Sequence, residues 1–187
     1  MKERVSTLAK RFSEMSDIKI VIFRRWIEHD GITLRMPRLR DLPVLHRLFG
    51  PEIFLTAGNI DHGRFNSVFS FRRWIVNTFQ VVYLIEVEET GGRRIIGFVG
   101  LYSLRIGQSL WISTALFDGK DRGRGYGRHG LELLLDSLRN DGIAETVYAE
   151  VLNGNSRSMH LLRDLRFGVC GRREDRLVLA KRILSHP

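Results

Sequence analysis

Residues 121–130 read DRGRGYGRHG, and a helical run, LELLLDSLRN, follows at once. Four glycines and three arginines in ten positions constrain the fold more than any other stretch. Glycine inside a helix costs up to about 1 kcal/mol relative to alanine, so this helix start keeps its backbone bare for a reason or by an unusual accident. Three readings stand side by side. The first is the accident, a helix start that is merely glycine-rich. The second is a dinucleotide fold: GYGRHG (125–130) fits G-x-G-x-x-G, and Glu150 lies 20 residues beyond Gly130 on a strand. That fingerprint wants its first glycine where the strand ends, whereas DGKDR stands between strand and loop here. The third is an anion cradle. The amides from Arg122 to Gly127 lie at a helix start, where they lack intrahelical partners and the helix dipole adds positive charge. Arg122, Arg124 and Arg128 flank them.

Around this loop the hydrophobic period changes twice. VVYLIEVEE (81–89), RRIIGFVGLYSL (93–104) and SLWISTALFD (109–118) read as strands joined by the short turns TGG and IGQ, so they are antiparallel neighbours. After the loop, Leu131, Leu134, Leu135 and Leu138 share one helix face. Then come a strand at 145–152, a helix at 155–167 with Ser158, Leu161, Leu162 and Leu165 on one side, and a closing strand at 175–184. Upstream, 18–27 is rich in strand formers, 32–36 is a second strand, 39–50 and 70–79 have helical character, and 55–67 is a loop. The expected architecture is one mixed α/β domain: antiparallel strands first, then β-loop-α-β-α-β.

Composition narrows the function classes. The net charge is +9, carried almost wholly by arginine. Such a charge suits nucleic acid, an anionic surface or a multiply phosphorylated molecule, but the arginines are scattered rather than gathered in one arm, which argues against nucleic acid. A single cysteine, Cys170, excludes an internal disulfide, and the reading for it is inert packing. No cluster has zinc-ligand spacing. The leading residues MKERVSTLAKRFSEMSD lack the apolar core of a secretory signal, and no apolar run approaches the ~20 residues of a membrane span. The expectation is a cytoplasmic protein without a metal or a membrane partner.

RGRGYG (122–127) matches the R/Q-x-x-G-x-G/A signature of the GNAT superfamily of acetyl-CoA-dependent N-acetyltransferases. AEVLNGNSRSMHLLRDLRF (149–167) resembles that family's second half, with Asn155 and Ser158 as N-x-x-S and Arg166 where the family's glycine is usual. RRIIGFVGL (93–101) and RRWI (72–75) resemble the branch of ribosomal-protein N-terminal acetyltransferases. The similarity spans about residues 32 to 184. It places a GNAT domain at 32–187, with residues 1–31 as an N-terminal extension.

The resemblance implies a mixed, mostly antiparallel sheet flanked by helices, with two strands splayed to admit the pantetheine arm of acetyl-CoA. Carried over, backbone groups of Leu116 and Phe117 pair with pantetheine. Amides of Arg122, Gly123, Arg124, Gly125, Tyr126 and Gly127 hold the pyrophosphate, and Asn155 and Ser158 lie along the far side. The reaction implied is attack of a neutral primary amine on the thioester. Its acceptor is a protein N-terminus, a lysine or a small-molecule amine, bound among residues 50–80 and the ends of the central strands, and a homodimer is the family-level expectation.

Two of the family's usual players are absent. Leu162 stands where many relatives have a tyrosine donor, and Ile112 where many have a glutamate. Glu150 is therefore the base candidate and Tyr148, on the same strand face, the second, with Ser113 and Tyr102 behind them. A non-catalytic CoA-binding sensor and a nicotinamide-dinucleotide-binding protein are the alternatives.

Overall fold

The computed structural model describes residues 23–49 and 67–184. A tight turn with Asp30 and Gly31 at positive φ folds β1 (Trp26–His29) back on β2 (Ile32–Arg35). The expected boundary at residues 31 and 32 thus falls inside a hairpin turn. A 3-10 turn, Leu39–Asp41, leads into α1 (Leu42–Leu48), and α2 spans Val68–Thr78. Ser67 caps α2, its hydroxyl accepting the Ser70 amide at 3.2 Å. Next come β3 (Val81–Glu89), β4 (Gly92–Arg105), β5 (Ser109–Leu116), α3 (Tyr126–Asn140), β6 (Thr146–Leu152), α4 (Ser156–Asp164), β7 (Gly168–Arg173) and β8 (Arg176–Arg182).

The eight strands form one sheet in the order β1-β2-β3-β4-β5-β6-β8-β7. Every pairing is antiparallel except β5 with β6. This is the mixed, mostly antiparallel sheet the sequence predicts. A doubly wound parallel sheet, which the dinucleotide reading requires, is not what these pairings build.

Strand alternation sends side chains to two separate cores. One face of the sheet packs on α3 and α4 through Leu34, Tyr83, Val99, Leu110, Ile112 and Val147, against Leu131, Leu135, Leu138 and Leu162. The other carries α1 and α2 on Leu84 and Phe98 and is largely aromatic, with Phe49, Phe71 and Phe79. Phe79 lies so close to β4 that a Cβ on Gly100 would meet its ring at 2.3 Å, so that strand position admits glycine alone.

A buried ion triad ties α1 to this second face. Arg35 of β2 donates to Asp41 at 2.6 and 3.1 Å and to Glu86 of β3 at 2.8 Å. All three residues are buried. Burial pushes the Asp41 carboxyl up, but the Arg35 guanidinium and the Arg38 amide more than offset that and hold it below the usual range.

One element that the sequence left unassigned is added here, and one expectation is corrected. Residues 168–173 form β7, whose six residues are all exposed. GVCGRR has no apolar alternation because an exposed edge strand buries neither face. Cys170, expected to be packed, is exposed on that strand. Of the strand expected at 18–27, residues 18–22 lie outside the described residues, and so does most of the loop at 55–67.

Candidate active site

The parallel ladder between β5 and β6 runs from Ser109 with Thr146 to Ile112 with Ala149 and stops there. Beyond it the two strands part. Ser113–Leu116 on one side and Glu150–Leu152 on the other line a cleft of about 390 Å³. Phe117 donates its amide to the Ile96 carbonyl at 2.8 Å. Antiparallel peptide groups alternate in direction, so Phe117, Ala115 and Ser113 turn toward β4, while Thr114 and Leu116 turn their peptide groups to the cleft. The Phe117 ring packs on Phe49 and Phe98 in the second core. The structure therefore places Leu116 in the cleft but not Phe117, and puts Thr114 in the position expected of it.

The loop after β5 is anchored by a pair the sequence does not announce. Asp121, fully buried, accepts two bonds of 2.8 Å from Arg94 of β4. Arg94 also reaches Glu89 at 2.7 Å. With the carboxylate neutralised, the next residues are free to face an anion. Gly123 and Gly125 take φ of 75° and 83°, the left-handed region where L side chains are strained. Gly125 is the N-cap of α3, and no side chain caps it. The first helical bond runs from the His129 amide to the Gly125 carbonyl at 2.9 Å. The amides of Tyr126, Gly127 and Arg128 lie ahead of that bond, at the positive end of a helix of 15 residues.

Arg122, Gly123, Gly125, Tyr126 and Gly127 line the cleft together with Leu116, Glu150, Asn155 and Ser158. Arg124 is exposed and lies outside the lining. Arg157 of α4, not singled out from sequence, adds a positive charge at the rim. Asn155 caps α4, its side-chain oxygen accepting the Ser158 amide at 3.1 Å. Leu162 and Ile112 are buried apolar walls of the cleft.

On the second face of the sheet the cleft opens beside a row of rings. Tyr102, Trp111 and Tyr148 stand in register on adjacent strands. Their centroids are 6.1 Å and 5.1 Å apart. Tyr148 thus borders the cleft rather than lining it. Glu150, whose side chain is 18% exposed, accepts from Arg173 of β7 at 3.2 Å. Burial, and then the Glu150 charge, push the Tyr102 phenol up to about 12, with Arg176 and Arg173 opposing.

A family model described as the acetyltransferase (GNAT) domain matches residues 32–168. The chain belongs to the GNAT acetyltransferase family. Solved structures agree at the level of the fold. A domain from Methanocaldococcus jannaschii is 23% identical, with a TM-score of 0.70 over 81% of this chain and 97% of that one. RimL, a ribosomal-protein α-N-acetyltransferase in complex with coenzyme A, is 16% identical, with a TM-score of 0.72 over 84% and 97%. A microcin self-immunity acetyltransferase bound to acetyl-CoA and AMP is 16% identical, with a TM-score of 0.65 over 82% and 93%. A comparison with curated protein sequences gave no match. Among the described residues no helix is long and apolar enough to cross a membrane, and no group of three or more His, Cys, Asp and Glu side chains could hold a metal ion.

Within this GNAT fold, sequence reasoning missed Arg94, Asp121, Thr114, Arg157 and Arg173. Thr114 was within reach: once Phe117 is seen to close the strand, alternation selects it. The Arg94–Asp121 pair was not, because its members are 27 residues apart and each looks like an ordinary surface charge.

Proposed function

We propose that this GNAT domain moves an acetyl group from acetyl-CoA to a primary amine. The observation that carries the proposal is the run from parted strands to an uncapped, glycine-cleared helix mouth. Peptide groups of Thr114 and Leu116 would hold the pantetheine arm in the gap. Amides at Gly123–Arg128 would hold the pyrophosphate, each charge-assisted bond contributing about 1.5–3 kcal/mol. Arg122 and Arg157 add charge at the rim, and Asn155 and Ser158 border the far side. The domain is drawn from residue 32 onward, with residues 1–31 as an extension that ends in an edge strand of the same sheet.

When bound, the thioester supplies an activated acetyl carbon. The chain must supply the proton handling. An amine with a pKa near ~10 is mostly protonated at neutral pH, so a base is needed. Glu150 is that base in this reading: it sits where β5 and β6 part, on the face that carries the ring row. Tyr148 borders the acceptor and is the second candidate. Tyr102, held protonated at neutral pH, is a hydroxyl donor at the end of the same row. The apolar Leu162 does not supply the proton to the departing thiolate, so that proton comes from elsewhere in the cleft.

Calorimetry with acetyl-CoA, followed by a free-thiol release assay over an amine panel, tests the proposal. Binding plus turnover that falls about 100-fold in Glu150→Gln is the expected result. No binding at millimolar acetyl-CoA would end it. The apolar Leu162 and Ile112 favour one other reading, a CoA-binding sensor, which predicts binding without turnover on any amine.

A further inference from the structure

Resting on that acetyltransfer reading, we infer that the acceptor carries a second cationic group beside the amine it presents, and that Arg173 holds the place of that cation in the protein alone.

Tyr102, Trp111 and Tyr148 make a half-buried aromatic platform across β4, β5 and β6. Glu150 follows Tyr148 by two residues, so its carboxylate is on the same face, just past the point where β5 and β6 separate. An aromatic face with a carboxylate at its edge is the receptor chemistry for an ammonium or guanidinium. The chain already puts a guanidinium there. The Arg173 Cζ lies 5.1 Å from the Trp111 ring centroid, and its Nη1 lies 3.2 Å from a Glu150 oxygen.

This Arg173 is a loose occupant. Its side chain is 67% exposed, and it ends an edge strand whose six residues are all exposed. A solvent-exposed ion pair of this kind is weakly held, so the side chain swings away without disturbing a core. It must do so for Glu150 to act. A guanidinium takes no proton from an amine, and while it covers the carboxylate an incoming ammonium has no counter-charge. When the acceptor's second cation takes the Trp111 ring face, Arg173 is displaced from both partners, and Glu150 is left to the amine that reacts. Arg176 of β8 pairs in register with both Leu152 and Arg173 and so shares this face. Two arginines could instead serve an acidic acceptor, but Glu150 would then repel the ligand it borders.

Three amines of one chain length separate these cases: agmatine (amine plus guanidinium), butylamine (amine alone) and 4-aminobutyrate (amine plus carboxylate). Their affinities are measured by ligand-observed NMR, with and without CoA, so the result does not depend on turnover. Agmatine is expected to bind about tenfold more tightly than butylamine, with 4-aminobutyrate weakest. Arg173→Ala, at an exposed site that folding does not need, is expected to tighten agmatine a further ~3-fold or more by freeing both the ring face and Glu150, and to tighten butylamine, which gains only the carboxylate, by less. Trp111→Leu is expected to erase the preference, and Trp111→Phe to keep part of it, while calorimetric acetyl-CoA affinity holds in both. Equal binding of all three amines, or a preference for 4-aminobutyrate lost in Arg173→Ala, overturns the inference. Failure of the acetyltransfer reading would show separately, as absent acetyl-CoA binding.

Discussion

Arg166 has φ of 61°, in a region that costs a non-glycine residue about 1–2 kcal/mol. It sits there because α4 ends in a Schellman turn: the Phe167 amide donates to the Leu162 carbonyl at 2.9 Å and the Arg166 amide to Arg163 at 2.8 Å. The end of α3 is built the same way, with Ile143 on Leu138, Gly142 on Arg139, and Gly142 at φ 63°. One helix meets the demand with glycine and the other with arginine. Arg166→Gly should therefore stabilise the protein by about 1 kcal/mol, read as a shift in a urea unfolding midpoint. This position was legible in the sequence as the arginine standing where the family's glycine is usual. The buried triad of Arg35, Asp41 and Glu86 was not, because charge alone does not say which side chains are inside. Asp41 is held below its unfolded value by Arg35 and Arg38, against the pull of burial. Its stabilisation is present above the unfolded pKa near ~3.9 and is lost as pH falls through the lower folded value. Asp41→Asn should cost about 3 kcal/mol at pH 7. The gap from wild type should narrow in unfolding titrations carried below about pH 4.

At the scale of elements, the two ends of GYGRHG make opposite predictions. Gly125 needs its positive φ of 83° to open α3, and a Cβ there meets nothing closer than 3.6 Å. The penalty in Gly125→Ala is thus backbone strain at the proposed phosphate cradle, and acetyl-CoA affinity should fall about tenfold by calorimetry. Gly130 lies inside α3, where a Cβ would make ordinary contact with Ile85 at 3.5 Å. Gly130→Ala should raise stability by about 0.5–1 kcal/mol and leave acetyl-CoA binding alone. The central elements were readable because period and turn length agree: β3 to β5 have short links, and α3 has four buried leucines on one face. β7 escaped because an exposed edge strand carries no hydrophobic period. Phe117, expected beside pantetheine, turns its amide to β4, because a motif locates a strand end to within a residue, whereas peptide direction flips at every residue.

The whole molecule turns on one interruption in an otherwise continuous sheet. Among the described residues seven pairings hold eight strands together, and the parallel one among them ends at Ile112 and Ala149. That ending was implied by the family resemblance; it cannot be read from local sequence, because where a ladder stops depends on the partner strand as well as on SLWISTAL. The loop pairing of Arg94 with Asp121 is equally non-local. Together they set the mouth of α3 at the end of the gap, and the aromatic row at its side. Amide chemical shifts followed by NMR during a CoA titration test this arrangement most directly. The largest changes are expected at Thr114, Leu116 and Gly123 to Arg128, in one contiguous path. Unmoved amides at the α3 mouth, with shifts elsewhere on the surface, would contradict it.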